Sequence, residues 1–241
     1  MKSLALLFLV VAMLSSCVGY VKKSDGVYYR DCNEANGCSL RKIDADPETF
    51  ETLGDGYARD IDRVFIGGGP IEGADAATFK VLSNSYAVDK DHAYYGGHVI
   101  ESSTGKNFKV IDAYYSTDDI DVFYQSNPLK VCSVKNFRRL YEDDKESLSD
   151  YWSTDGCYYY YMHFKIPSAD YTNVQLLKET PGFAKDKQWV YNLDQKINFN
   201  IDGEKILDTV DAASFTINKY CDSCRDKFGC INLYKGRVPC N

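Results

Sequence analysis

The sequence predicts a β-rich α+β repeat protein, built from tandem units of about 29 residues that each contain a β-hairpin and a short helix. Phenylalanine recurs at this interval at Phe50, Phe79, Phe108 and Phe137. Three further columns keep the same register: Leu53, Leu82, Ile111 and Leu140; Tyr57, Tyr86 and Tyr115; Asp60, Asp89 and Asp118. Four columns in one register indicate an array of one small structural unit.

The aspartate column predicts the turn of the hairpin. Clusters such as Asp60/Asp62 and Asp89/Asp91 favour turns, because Asp side chains bond nearby backbone groups and tolerate unusual φ angles. Four and five residues after the first Asp comes an apolar and aromatic pair, such as Val64 with Phe65, which suits the second strand. Glycines at 67–69 then mark a bend.

The segment before each phenylalanine predicts a short helix. Asp46 fits the N-cap, Pro47 the first turn and Glu48 the positive end of the helix. Gly54 is placed to end the helix after two turns. A single unit cannot bury its own Phe and Leu, so we expect stacked neighbours to bury both columns.

Further copies of the unit appear when gaps are allowed. Asp155 and Asp186 begin two of them, the segment after Tyr20 forms an incomplete first copy, and residues 220–238 form a degraded last one. The whole segment 18–241 is therefore predicted to be one repeat array, with no Pro- or Ser-rich linker.

The turn motif resembles the DKNYY repeat of bacterial proteins, which are often envelope lipoproteins. The segments that carry this resemblance are DKDHAYY at 89–95 and DKQWVY at 186–191. Other copies depart from the pattern, since residues 60–62 read DID and residues 118–120 read DDI. The resemblance implies an architecture and a compartment. It implies no chemistry, because the family has no established activity to carry over.

The first 17 residues predict an export signal rather than part of the fold. Lys2 is followed by an apolar run at residues 4–14, which is too short to span a bilayer. The run ends in LSSC at 14–17, which resembles a lipobox with Cys17 as the acylated residue. The alternative is an ordinary signal with a coincidental cysteine. We expect a lipid-anchored protein of the bacterial cell envelope, in the outer membrane if the host has two membranes.

The other eight cysteines suit disulfide bonds in an oxidising compartment. We expect Cys32–Cys38 to close a loop and Cys132–Cys157 to connect two units. The three connectivities of Cys221, Cys224, Cys230 and Cys240 stay open. The Cys221-x-x-Cys224 spacing also fits a redox pair. Its position in a cysteine-dense tail without a βαβ unit favours structural bridges over both redox chemistry and zinc.

Composition excludes one class of partner. After Cys17 the chain has 27 Lys and Arg against 35 Asp and Glu, a net charge of −8, and no basic stripe for nucleic acid. No residue pattern predicts a catalytic set, a metal or a cofactor. Tyr159 and Tyr161 are the candidates for a partner-binding patch.

The sequence thus predicts a non-catalytic lipoprotein that binds a membrane through its anchor and a protein or cell-wall partner through its repeats. Two alternatives stay open. One is a periplasmic thiol-disulfide enzyme that uses the C-terminal cysteines, and the other is a structural surface protein without a specific ligand.

Overall fold

The computed structural model describes residues 18–240 except 36, 141–150, 169, 178–179, 181, 201–206, 218–223 and 233–235. The chain forms two compact units. Unit 1 comprises residues 1–90 and 96–98, and unit 2 comprises residues 91–95 and 99–241. The predicted signal, with the predicted lipidation site Cys17, lies outside the described residues, as does Cys221.

Unit 1 consists of short antiparallel strands joined by tight turns. Its strands are β1 (Gly19–Lys23), β2 (Gly26–Asn33), β3 (Gly37–Ile43), β4 (Glu51–Gly54), β5 (Tyr57–Arg59), β6 (Val64–Ile66), β7 (Gly69–Pro70), β8 (Lys80–Val81) and β9 (Tyr86–Val88). Strands β1–β3 form one sheet and β4–β7 a second, each in sequence order, and β8 pairs with β9.

Unit 2 repeats this plan. Its strands are β10 (Ala93–Tyr95), β12 (Lys109–Val110), β13 (Tyr115–Thr117), β14 (Val122–Tyr124), β15 (Asn127–Pro128), β16 (Arg138–Arg139), β17 (Trp152–Thr154), β18 (Tyr159–Tyr161), β19 (Phe164–Lys165), β20 (Gln175–Leu176), β21 (Phe183–Lys185), β22 (Val190–Asn192), β23 (Gln195–Lys196), β24 (Asn198–Asn200), β25 (Leu207–Thr209), β26 (Cys224–Asp226), β27 (Gly229–Asn232) and β28 (Gly236–Val238). The unit boundary falls inside β11 (His98–Val99). Strands β12–β15, β16–β19 and β20–β23 form three four-stranded meanders.

We number six repeats along the chain: β1–β3, β4–β7, β8–β11, β12–β15, β16–β19 and β20–β23. The central hairpin of a repeat places a small residue opposite an aromatic one. Ala58 pairs with Phe65, Ser116 with Phe123, Ser153 with Tyr160 and Ala184 with Tyr191. All eight side chains are buried. The small partner leaves room for the ring, so these pairs form the centre of each sheet.

The predicted helix in each repeat is wrong, and the fold is almost entirely β. The described residues contain no α-helix, and the 3-10 turns described in full are Val134–Asn136 and Tyr171–Asn173. At the predicted helix start, Asp46 caps a single turn, since its side chain accepts hydrogen bonds from Glu48 N at 3.0 Å and Thr49 Oγ1 at 2.6 Å. The chain then extends into β4, because the next residues pair with β5. A capping residue such as Asp46 makes the same hydrogen bonds at a single turn as at the start of a helix, so its presence did not indicate how many turns would follow.

The predicted helix C-cap, Gly54, instead begins a hairpin turn. It has φ of 105°, and Asp55 and Gly56 follow with φ of 48° and 79°. A side chain at Gly54 would be strained in this conformation. Glycine therefore marks the reversal between β4 and β5 rather than the end of a helix.

The phenylalanine column is buried as expected at Phe50, Phe79 and Phe108, and Phe137 is half-buried. The aliphatic column is different. Leu82 and Ile111 are 40% and 46% exposed, because each residue follows the edge strand of its sheet. The expectation that both columns are buried is therefore wrong for the aliphatic one. No helix in the described part of the chain is long and apolar enough to cross a bilayer.

Candidate functional site

The signature aspartate of the repeats stabilises its own turn. In repeat 5, Asp155 Oδ1 accepts hydrogen bonds from Cys157 N at 2.8 Å and Tyr158 N at 2.7 Å. The same pair of bonds, from the second and third following residues, forms at Asp60, Asp118 and Asp186. This Asx geometry closes the turn between the two central strands, and a carboxylate fits it because both partners donate.

The second carboxylate oxygen connects the turn to the preceding segment of the chain. Asp155 Oδ2 accepts a hydrogen bond from Cys132 N at 2.7 Å, across 23 residues. Equivalent bonds are Asp46 N to Asp60, Asp75 N to Asp89, Thr104 N to Asp118 and Asp211 N to Asp226, at 2.8–3.2 Å. In these repeats the signature aspartate therefore joins two backbone segments that the sequence separates, whereas Asp186 Oδ2 accepts a hydrogen bond from the Ser168 side chain at 2.7 Å.

A hydroxyl residue adds a second connection between the same segments. Thr49 Oγ1 donates to Asp46 Oδ2 at 2.6 Å and accepts from Ile61 N at 3.1 Å. Thr78 and Ser214 make the same two contacts with Asp75 and Lys90, and with Asp211 and Lys227. The Asp-x-x-Thr segment that resembled a helix start is thus part of this junction.

The electrostatic state of these aspartates follows from their hydrogen bonds. Burial by itself raises the pKa of Asp155, but the amides of Cys132, Tyr158 and Cys157 and the Tyr160 hydroxyl outweigh burial and lower it. Burial also raises the pKa of Asp60, Asp186 and Asp226, and it is outweighed by backbone amides at Asp60, by the Tyr191 and Ser168 hydroxyls and two amides at Asp186, and by Arg237 and two amides at Asp226, so all three pKa values are lowered. The carboxylates are therefore ionised at neutral pH, with their oxygens occupied by donors.

The second strand supplies a tyrosine to the same carboxylate. Tyr160 Oη donates to Asp155 Oδ2 at 2.9 Å, and Tyr191 Oη donates to Asp186 Oδ2. Burial, then the hydrogen bond to the carboxylate, raise the pKa of both tyrosines. These phenols stay protonated and act as donors, not as bases.

A first-strand tyrosine connects one repeat to the next. Tyr57 Oη donates to Ser85 O at 2.8 Å and accepts from Gly97 N at 2.9 Å. A Cβ atom on Gly97 would lie 2.5 Å from Ile66 Cγ2, which explains why glycine occupies this bend. Tyr20 Oη accepts from Gly68 N in the same way at 3.3 Å. The tyrosine and glycine columns therefore form one contact between adjacent repeats.

One group of side chains has the composition of a metal site. A sulfur from Cys132, a sulfur from Cys157 and a carboxylate oxygen of Asp155 lie within 4.8 Å of one another. The two sulfurs are bonded to each other in a disulfide. The carboxylate accepts the four hydrogen bonds described above. This group does not suit a metal ion, because a disulfide offers no thiolate ligand and the oxygens of Asp155 are occupied by hydrogen-bond donors.

The described cysteines form disulfides, as the sequence predicted. The Cys32–Cys38 and Cys132–Cys157 bridges are present, and Cys230 pairs with Cys240. Cys224 is also disulfide-bonded and is 0% exposed. A redox-active thiol needs access to its substrate, so the burial of Cys224 does not favour thiol-disulfide exchange at this motif.

The predicted tyrosine patch is wrong for Tyr161. Its side chain is 8% exposed and packs edge-on against Trp152 at 5.2 Å, so it belongs to the core. Strand alternation predicted that Tyr160 faces the core and that Tyr159 and Tyr161 face solvent. In the structure both faces of this strand pack against other side chains, with Tyr160 in one cluster and Tyr161 in another. Tyr159 is half-buried and packs against the same cluster. The pair does not form an exposed patch.

An exposed aromatic surface does occur at a hairpin tip that the sequence analysis missed. The tip is residues 111–114, between β12 and β13 of repeat 4. Ile111 is 46% and Tyr114 is 37% exposed. The Tyr114 ring stacks on Tyr124, with 6.0 Å between centroids and 6° between planes, and it lies 6.2 Å from Tyr151. The equivalent residues of repeats 2 and 3, 53–56 and 82–85, read LGDG and LSNS, so the alanine and tyrosine at 113 and 114 were a departure that the sequence itself showed.

The three histidines lie in different environments. His92 and His98 are exposed. His163 is half-buried between Tyr124 and Phe164, at 6.1 Å and 4.0 Å between ring centroids. Aromatic packing accounts for the position of His163.

These hairpins define a class of protein: a β-repeat array in which an aspartate closes each turn and connects it to the preceding segment. The family model for the DKNYY family matches residues 20–162 and 57–230, which together cover most of the chain. The chain belongs to the DKNYY family. Comparisons with curated proteins and with solved structures gave no significant match.

Proposed function

We propose that this protein is a non-catalytic envelope lipoprotein, anchored through Cys17, whose repeat array binds a protein partner. The proposal rests on the contacts that the recurring side chains make. The recurring Asp, Tyr and Thr residues hold turns and adjacent repeats together, so their recurrence is explained by architecture and not by chemistry. Function is then expected at positions that differ between repeats.

The hairpin tip at residues 111–114 is such a position. It replaces the small and polar turn residues of repeats 2 and 3 with Ala113 and Tyr114, which are exposed beside Ile111 of the aliphatic column. Exposed tyrosine is enriched where proteins bind partners, because a rigid ring covers much area at a low entropic cost. Tyr124 and Tyr151 support the Tyr114 ring from within the protein.

Photo-crosslinking in intact cells tests the binding surface. A benzophenone amino acid at position 114 should give a discrete crosslinked adduct after irradiation, because the tip contacts the partner directly. The matched control is the same amino acid at position 61, where Ile61 is 67% exposed on a turn of repeat 2. An adduct at 114 that is absent at 61 supports the proposal, and equal crosslinking at both positions contradicts it. An adduct that resists proteases but is removed by cell-wall hydrolases would identify cell-wall material instead of a protein.

The anchor has a separate test. We expect Cys17 to be the first residue of the mature protein and to carry acyl chains, which together provide stable membrane binding. Intact-mass and N-terminal peptide analysis of protein from the native membrane measures this. The Cys17→Ala variant should stay unprocessed or leave the membrane fraction. An unmodified Cys17 in the mature protein would remove the anchor from the proposal and leave the binding surface unaffected.

A further inference from the structure

The first sheet has one face toward the core of unit 1 and one face away from it. Val27 and Ile43, which pair across β2 and β3, are buried. On the same side Tyr20 packs against Tyr29 and Phe50, at 5.1 Å and 5.3 Å between ring centroids. Because side chains alternate along a strand, the intervening residues lie on the opposite face.

That opposite face combines cations with apolar side chains. Strand pairing places Val21 beside Tyr28 and Lys42, and Arg30 beside Leu40. Lys23 belongs to the same face and lies 4.6 Å from the centre of the Tyr28 ring. Leu40 is 41% exposed, and Lys23 and Lys42 are exposed. We call this set the basic face: Val21, Lys23, Tyr28, Arg30, Leu40 and Lys42.

Of the three carboxylates of the first repeat, Asp31 and Glu34 lie off the basic face, and Asp25 adjoins it, with its backbone oxygen accepting a hydrogen bond from Lys42 Nζ at 2.6 Å. Asp31 is on the inner side by alternation, and Glu34 is in the turn between β2 and β3. Asp25 is in the turn between β1 and β2, where it accepts a hydrogen bond from Tyr28 Oη at 2.6 Å. The three cations of the basic face therefore outnumber the one carboxylate that adjoins it.

The charge of this segment has the opposite sign to that of the remaining chain. Residues 18–43 contain five Lys and Arg and three Asp and Glu, a net charge of +2. Residues 44–241 contain 22 Lys and Arg and 32 Asp and Glu, a net charge of −10. An anionic surface would therefore attract the first sheet and repel the rest of the array.

The position of this segment in the chain indicates that the anionic surface is a membrane. Gly19 pairs with Arg30 at one end of the basic face, and only Val18 separates Gly19 from Cys17. Two residues span at most about 7 Å of extended chain. A lipid attached at Cys17 would thus hold this end of the sheet at the level of the phospholipid headgroups.

We propose that the basic face lies against anionic phospholipid headgroups and orients the protein on its membrane. The inference rests on the proposed anchor at Cys17. Lys23, Arg30 and Lys42 meet the headgroup phosphates, while Val21, Tyr28 and Leu40 contact the interface between headgroups and acyl chains. Basic side chains next to a lipid anchor are attracted to anionic lipids within a Debye length of the surface.

The test uses the full chain purified from its native membrane and placed in two kinds of vesicle, one of phosphatidylcholine and one that also contains phosphatidylglycerol. Flotation first establishes that the protein is bound to both kinds. Hydroxyl-radical footprinting then measures the oxidation of Tyr28 and Leu40, with Ile61 and Phe228 as exposed reference residues. We expect severalfold less oxidation of Tyr28 and Leu40 in the anionic vesicles, and recovery in 1 M salt, where screening shortens the Debye length to about 3 Å.

A charge-matched pair of variants assigns the effect to the basic face. In R30Q/K42Q the attraction should weaken by about fivefold for each removed cation, so Tyr28 and Leu40 lose their protection. The control K90Q/K227Q removes the same charge from exposed positions in other repeats and should keep the protection. The wild-type protein is compared in the two kinds of vesicle without any substitution, so this comparison does not depend on whether a variant folds.

The outcomes separate the anchor from the face. A chain that floats with neither vesicle lacks the anchor, so the anchoring part of the proposed function fails and the orientation proposal, which rests on it, fails too. A chain that floats with both vesicles but shows equal oxidation of Tyr28 and Leu40 keeps its anchor and overturns the orientation proposal. The orientation proposal is also overturned if Tyr28 and Leu40 are protected equally in both vesicles and stay protected in 1 M salt, because something other than anionic lipid then covers the basic face.

Discussion

Phe79→Ala should lower the free energy of unfolding of unit 1 by about 3–5 kcal/mol, the usual cost of removing a buried ring. Phe79 is 3% exposed and lies 5.4 Å from the Tyr57 ring of the preceding repeat. Its removal leaves a cavity where two repeats meet, and rigid sheets on both sides limit how far the cavity can collapse. Hydrogen exchange of unit 1 peptides in increasing urea measures the loss.

Leu82→Ala is the matched control in the same repeat, three residues along the chain. Leu82 is 40% exposed and follows the edge strand β8. Its truncation should cost no more than about 1 kcal/mol, as for other surface positions. Equal losses for the two variants would mean that both columns contribute to the core, contrary to the packing described above.

Asp155→Ala should lower the stability of unit 2 by about 3–4 kcal/mol at neutral pH. The substitution leaves the amides of Cys132, Cys157 and Tyr158 and the Tyr160 hydroxyl without their shared acceptor. Urea unfolding followed by tryptophan fluorescence reports the change, because both tryptophans of the chain, Trp152 and Trp189, belong to unit 2. Asp194→Ala, at an exposed turn position of repeat 6, should change the stability by no more than about 0.5 kcal/mol.

The stabilisation by Asp155 should also depend on pH. Its pKa is lowered in the folded protein, whereas an unfolded aspartate has a pKa of about 3.9. The contribution is therefore fully present above that unfolded value and is lost as the pH falls through the folded one. The difference between the wild type and Asp155→Ala should shrink as the pH falls below about 4. A difference that stays constant down to pH 2 would show that the carboxylate charge is not what stabilises the turn.

The repeat, its register and the position of each turn were predictable from the sequence. These features depend on residues close together in the chain: an aspartate that accepts hydrogen bonds from the amides of the second and third following residues, and strands whose side chains alternate with a fixed period. The disulfides Cys32–Cys38 and Cys132–Cys157 were also predictable, since their spacing left few plausible partners. The family resemblance followed from the same local pattern.

The tertiary structure decided what local patterns leave open. Asp46 and Thr49 cap one turn rather than a helix because the following residues pair with a neighbouring strand, and strand pairing is a contact between distant segments. Likewise, alternation assigned Tyr161 to the surface, but Trp152 and Tyr151 of the paired strand region cover it. The exposure of Leu82 and Tyr114 depends on which strand lies at the edge of its sheet. The alternation of side chains along a strand can be read from a single sequence, whereas the burial of a side chain depends on which segments pack against each face of its sheet.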